Sequence, residues 1–281
     1  MEFVEGETLE KLIRRSGRLE IKLALEIVAQ EDVETAPVCC LCYEDVLDWH
    51  FGDIASSQAK IGEAIALAKR LNDMHGLAVA LWYAGMLGRW QGNSAEVEHF
   101  ASDLIEFSTR QNFPYWLTLG AIHRGWARSV SGDTAEGISL IEDGIRTHRA
   151  SGAILGMPYF LGLKAEALYF ADRTREALEA IEEAESLADR YEQRFHCAEL
   201  HRLRGVCLAA IGGEESQNEA LFQEAIRIAR EQKSVSLAKR AGATYAEYRR
   251  QKTSGSEGRG FRLPLLTSCN ALAFVQLNKT R

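Results

Sequence analysis

Turn-forming residues recur in this chain at a fixed interval, and that interval limits the fold more than any other feature. Gly52-Asp53, Gly92-Asn93, Gly132-Asp133, Asp172-Arg173 and Gly212-Gly213 are spaced 40 residues apart, five times over. A second set of breaks falls between them, at His75-Gly76, Asn112-Phe113-Pro114, Ser151-Gly152, Tyr191-Glu192 and Gln232-Lys233. The segments so bounded run about 15 to 20 residues, ordinary for helices and too long for strands. Each 40-residue unit therefore reads as a helical hairpin.

Proline placement agrees. Between Val38 and Tyr248 only Pro114 and Pro158 occur, and both fall near the start of a first helix, where the missing N–H costs nothing. Helices after the Gly-Asp turns carry one apolar stripe: Val97, Phe100, Ala101, Leu104 and Phe107, then Ile138, Ile141 and Ile145, then Ala177, Ile181, Ala184 and Ala188. Helices before the turns are apolar over more of their circumference, as in Leu77 to Leu87, and belong inside. Steps of 40 along these inner helices find Gly85, Gly125, Ala165 and Gly205. Glycine inside a helix costs about 1 kcal/mol against alanine, so close packing must compensate. A hairpin with a one-sided stripe cannot bury its core alone, and such units stack into solenoids.

Two helices per unit, small residues in the first, and the pairs Ala95-Glu96, Ala135-Glu136, Glu176-Ala177 and Glu219-Ala220 resemble tetratricopeptide repeats. The usual period is 34 residues. The longer unit here is similar to the variant in bacterial signalling proteins such as MalT-like activators and cyclases or ATPases with fused repeats. Gly120 to Ala127, Gly156 to Leu161 and Ala198 to Gly205 carry that likeness. It implies an all-α, right-handed superhelical solenoid over residues 38–248, and a protein- or peptide-binding scaffold or sensor. A small-molecule sensor is the alternative.

The ends differ from the body. Residues 1–30, with Met1 to Ile13 and Leu19 to Gln30, resemble the hinge of a bacterial Ser/Thr protein kinase and the two helices after it. That likeness implies that the backbone at Glu2 and Val4 faces an adenine, and makes a fragment of a kinase with fused repeats a second alternative. The chain lacks the Gly-rich loop, the β3 lysine, H-R-D and D-F-G that phosphoryl transfer uses, so it is expected not to be an enzyme. Residues 31–37 read as a linker, and residues 249–281 as a disordered basic tail. After residue 248 there are seven Lys/Arg and one Glu, hence +6 within a chain net of −7, leaving −13 for the rest. That acidity argues against nucleic acid as a partner of the repeat body.

Candidate binding residues come from the same register. Steps of 40 align Arg124, Lys164 and Arg204 as a ladder of cations for acidic peptide side chains or a small anionic ligand, unless each pairs with a nearby carboxylate such as Glu166 or Glu199. Trp82 and Trp126, with Trp90 and Trp116, are candidate anchors, since Trp and Arg dominate binding hot spots, or else core. Cys39-x-x-Cys42 has no second pair to complete a zinc site and reads as small buried hydrophobes. His196 and His201 are five apart, off the four-residue spacing that places two imidazoles on one helical face. No metal, cofactor or catalytic residue is expected, and the run with Glu182, Glu183 and Glu185 reads as a solvated outer face. No window reaches the ~18 apolar residues of a membrane span, and the start lacks a secretion signal, so the expected setting is cytoplasmic. Bare repeat ends predict some self-association.

Overall fold

The structure, a computed structural model, describes residues 35–254 and residue 261. The kinase-like stretch 1–30 and most of the linker and tail lie outside the described residues. Within them the chain forms eleven α-helices. Five hairpins follow one another: α1 (Ala36–Phe51) with α2 (Ile54–Leu71), α3 (Met74–Gln91) with α4 (Ser94–Gln111), α5 (Pro114–Val130) with α6 (Thr134–Ala150), α7 (Met157–Phe170) with α8 (Thr174–Arg190), and α9 (Cys197–Ala210) with α10 (Glu215–Glu231). A short 3-10 turn, Arg194–His196, leads into α9, and α11 (Val235–Thr253) begins a sixth unit.

The turns explain the period. Gly52, Gly92, Gly132, Asp172 and Gly212 all have positive φ, between 58° and 103°. This left-handed residue ends a helix by letting the next N–H reach back to a carbonyl five residues earlier. That bond repeats in every unit: Asp53 to Asp48, Asn93 to Gly88, Asp133 to Arg128, Arg173 to Leu168 and Gly213 to Leu208, at 2.8 to 3.0 Å. The second residue of the pair then starts the next helix. Asp53 Oδ1 accepts from Ser56 N, and Asn93 Oδ1 from Glu96 N, satisfying amides that a helix start leaves unpaired. One dipeptide stops one helix and starts another.

The second breaks centre on Asn72, Asn112, Gly152, Glu192 and Lys233, again with positive φ and again about 40 apart. The first of them corrects the expected His75-Gly76. Gly76 is inside α3, where its N–H donates to Asp73 Oδ1 at 2.7 Å; a Cβ there would meet that carboxylate at 2.1 Å. Glycine marks a cap at this site, and Asn72 makes the turn. Helix bounds also exceed the expected domain by a little: α1 takes in Ala36 and Pro37, and α11 continues to Thr253. Residues 249–253 are thus helix rather than tail, with Arg250 held by Glu247 at 2.6 Å and Lys252 near Glu215 at 3.7 Å.

Consecutive helices pack on each other, and the inner helices α1, α3, α5, α7, α9 and α11 also pack in series. The expected stripes are buried, from Val97 and Leu104 through Ile138 and Ile141 to Ala177 and Ile181. Glycines permit the close crossings. A Cβ on Gly125 would lie 2.6 Å from Gly137 O and 2.8 Å from the Ile141 side chain, and one on Gly205 would lie 2.8 Å from the Phe222 ring.

The superhelix returns upon itself. Helix α11 packs against α1 as well as α9. Ser236 Oγ donates to Trp49 O at 2.6 Å, His50 Nδ1 meets Ser234 Oγ at 2.6 Å, and the Arg240 guanidinium lies 5.6 Å from the Trp49 ring centre. Among the described residues, no helix is long and apolar enough to cross a membrane.

Candidate binding surface

Closure of the turn brings all six inner helices to one centre. Arg89 (α3), Trp126 (α5), Glu166 (α7), Glu199 and Arg202 (α9) and Arg240 (α11) meet there, each at most 9% exposed, and Trp49 of α1 closes the set through Arg240. Arg89 donates to Glu166 at 2.8 Å and approaches Glu199 at 3.5 Å. Arg202 grips Glu199 with two bonds, 2.9 and 2.8 Å. Arg240 reaches Glu199 at 3.3 Å and also donates to Trp90 O. Trp126 Nε1 donates to Glu166 at 2.8 Å.

Electrostatics follow from burial. Burial alone would raise the Glu199 carboxyl, but Arg202 and Arg240 beside it hold it well below the usual carboxylate range. Burial works against the charge on Arg89, and Glu166 and Glu199 more than restore it. Two imidazoles next to this lattice behave oppositely. Burial, then the Arg89 charge, pull His123 and His196 down to about 3, so both are neutral. Three guanidiniums against two carboxylates leave one excess positive charge, and Arg89 Nε and Nη1 have no hydrogen-bond partner among the described residues. Breaking a buried ionic set by removing one member costs about 3–5 kcal/mol, so the lattice fixes the closure more than it stabilises it.

The five sequence candidates occupy three separate places. Arg124, Lys164 and Arg204 occupy equivalent positions on α5, α7 and α9, each about one third exposed or less. They pair with carboxylates, but not with Glu166 or Glu199. Arg124 binds Glu98 at 3.2 Å, Lys164 binds Glu142 at 2.9 Å, and Arg204 binds Glu185, each on the preceding outer helix. The reason is helical phase: residues two apart point about 200° apart, so Arg124 faces away from Trp126, Lys164 from Glu166, and Arg204 from Arg202. Glu185, expected on a solvated face, is instead mostly buried, its side chain 23% exposed and paired with Arg204.

Trp126 is at the buried centre. Trp82 lies between α3 and α5, stacked on His123 with ring centres 5.9 Å apart and 2° between planes. Trp90 stacks on Trp49 at 4.5 Å, and Trp116 meets His75 edge-on at 5.5 Å. Cys42 is fully buried and burial pushes its thiol up, which suits a small hydrophobe. No group of three or more His, Cys, Asp or Glu side chains converges for a metal among the described residues.

The central residues Arg89, Arg202 and Arg240 escaped sequence reasoning. Arg89 had a signal, a lone charge in the otherwise apolar stretch Leu77 to Trp90, whereas Arg202 and Arg240 stand among other charged residues on their helices and had none.

Comparisons with known proteins agree with this architecture. The family described as Anaphase-promoting complex subunit 5 matches residues 34–90 and 169–251, just under half of the chain. An uncharacterized protein of Rhizobium meliloti (strain 1021) is 24% identical over 206 residues, which is 73% of this chain and 20% of that protein. The chain thus spans about one fifth of that relative's length. Among solved structures, Bacillus thuringiensis PlcR in complex with the peptide PapR7 and DNA superposes with TM-score 0.62 at 16% identity, covering 84% of this chain and 88% of that one. The apo form of RapI superposes with TM-score 0.54 at 12% identity, covering 88% and 96%. With its paired helices, 40-residue period and these neighbours, the chain carries a helical-repeat region of the tetratricopeptide type.

Proposed function

We propose that this chain is a protein- or peptide-binding scaffold or sensor region of a bacterial signalling protein, acting by equilibrium binding and not by catalysis. The observation that carries this reading is the ladder Arg124, Lys164 and Arg204: three cations in register, partly exposed, each paired with a carboxylate that is itself partly exposed. Such pairs contribute only about 0–1 kcal/mol each. An incoming acidic side chain can replace Glu98, Glu142 or Glu185 at little cost, and three rungs together give it register. PlcR, of the same fold, is seen with a peptide, and the Rhizobium relative fits the bacterial setting.

The test is fluorescence anisotropy with a labelled oligo-glutamate peptide against the native chain and the triple variant Arg124→Ala/Lys164→Ala/Arg204→Ala. We expect saturable binding that weakens about tenfold or more in the variant, a loss of about 1.4 kcal/mol. Equal binding to both chains would remove the ladder as the site. A small anionic ligand is the second reading, favoured by the excess charge at the centre and by the Arg89 Nε and Nη1, which have no hydrogen-bond partner among the described residues. Saturable changes in tryptophan fluorescence on titrating anionic metabolites, with no protein partner present, would favour it.

A further inference from the structure

One residue from beyond the last helix is held on the repeat as a bound peptide residue would be. The inner-helix position of Arg89, which faces the centre, recurs in steps of 40 at Ser129, Tyr169 and Ala209. Phe261, seven residues past Ser254, lies over the last two of these. Its N–H donates to Ala209 O at 3.3 Å, and its carbonyl accepts from Tyr169 Oη at 3.4 Å. Phe261 is 6% exposed, packed with Val206, Ala209, Phe222 and Tyr248, and its ring meets that of Tyr248 edge-on at 5.6 Å.

A plain apolar cap needs only the ring. Here both backbone polar groups are engaged as well, one by a main-chain carbonyl and one by a side chain, which is how grooves recognise extended peptides irrespective of sequence while a pocket reads one side chain. Charge agrees: the segment Arg259-Gly260-Phe261-Arg262 is basic, whereas residues 1–248 have a net charge of −13 against +6 for residues 249–281.

We propose that the pocket of Tyr169, Val206, Ala209, Phe222 and Tyr248 is a docking site for an extended, basic segment bearing an aromatic side chain, and that Phe261 occupies it in cis and competes with such a segment on a partner. This site is separate from the cation ladder and deepens the peptide-binding reading on which it rests. A tethered occupant acts at an effective concentration near the millimolar range, so a partner must bind tightly or first displace the tail.

The test uses a fluorescein-labelled peptide with the sequence of residues 256–265, titrated into the full native chain, the Phe261→Ala chain, and a chain ending at Ser254. Far-UV circular dichroism and cooperative melting verify each variant. The expected result is saturable binding to Phe261→Ala and to the shortened chain, about tenfold or more tighter than to the native chain, and none by a peptide with alanine for its phenylalanine. Equal affinity for all three chains, no binding to folded variants, or loss of folding in both variants would overturn the proposal and leave Phe261 as a structural cap. Oligo-glutamate binding measured on the same samples separates the two readings, since it depends on the ladder and not on Phe261.

Discussion

Glu199 and the imidazoles near it set how the molecule responds to acid. His123 and His196 are held at about 3, and His50 at about 4, in each case first by burial and then by a nearby arginine. Unfolding returns them to about 6.5. Between these limits the unfolded chain binds protons that the native chain does not, so the stability these three imidazoles contribute is full above about pH 6.5 and falls as pH drops, offset in part by Asp45, which burial raises to about 7 and whose contribution grows as pH falls through that value. Glu199, depressed in the fold, adds to the loss once pH falls below its unfolded value of about 4.3. We expect the melting temperature to fall steadily from pH 7 to pH 5, and His123→Gln with His196→Gln to flatten that slope; a flat native profile would contradict the buried neutral imidazoles. At this scale the sequence was least legible. Arg89 pairs across the turn with residues 77 and 110 positions away, and a local pattern carries no trace of which side chain lies opposite. The 40-residue step places Arg124, Lys164 and Arg204 at equivalent positions, each paired with a carboxylate of the preceding outer helix, because register follows from the repeat alone.

Helices and turns were far more legible, since their causes are local. Glycine and asparagine at positive φ, with Asp53 and Asn93 as caps, write the hairpin into the sequence. The misplaced break at His75-Gly76 shows the limit: glycine also serves where a neighbour comes close. Two glycines separate these uses. Gly62, inside α2, has nothing among the described residues within 4 Å of where a Cβ would be, whereas Gly125 has Gly137 O at 2.6 Å. We expect Gly62→Ala to stabilise by about 0.5–1 kcal/mol through helix propensity, and Gly125→Ala to destabilise by about 1–3 kcal/mol through overpacking of α5 on α6. Urea denaturation midpoints read both. A stable Gly125→Ala chain would show that the α5–α6 crossing is looser than described.

Curvature belongs to the whole molecule. Each hairpin adds a small rotation, and only the sum over five units decides whether the inner wall stays an open groove or closes. The sequence predicted the stack but not the closure, in which α11 meets α1 and α3 over a lattice of three arginines and two glutamates. The consequence for function is direct. The middle of the inner wall is filled by the chain's own side chains, and on the proposed reading a peptide partner engages the cation ladder or the pocket now holding Phe261 instead.

Amide hydrogen exchange on the native full chain, followed by mass spectrometry, tests this closure most directly. The account predicts that the first two turns of α11, near Ser236 and Arg240, are protected as strongly as the middle of α5, because Trp49, Trp90 and Glu199 cover them. Exchange of that segment at the rate of a free helix end, with α5 still protected, would mean an open solenoid and would contradict it.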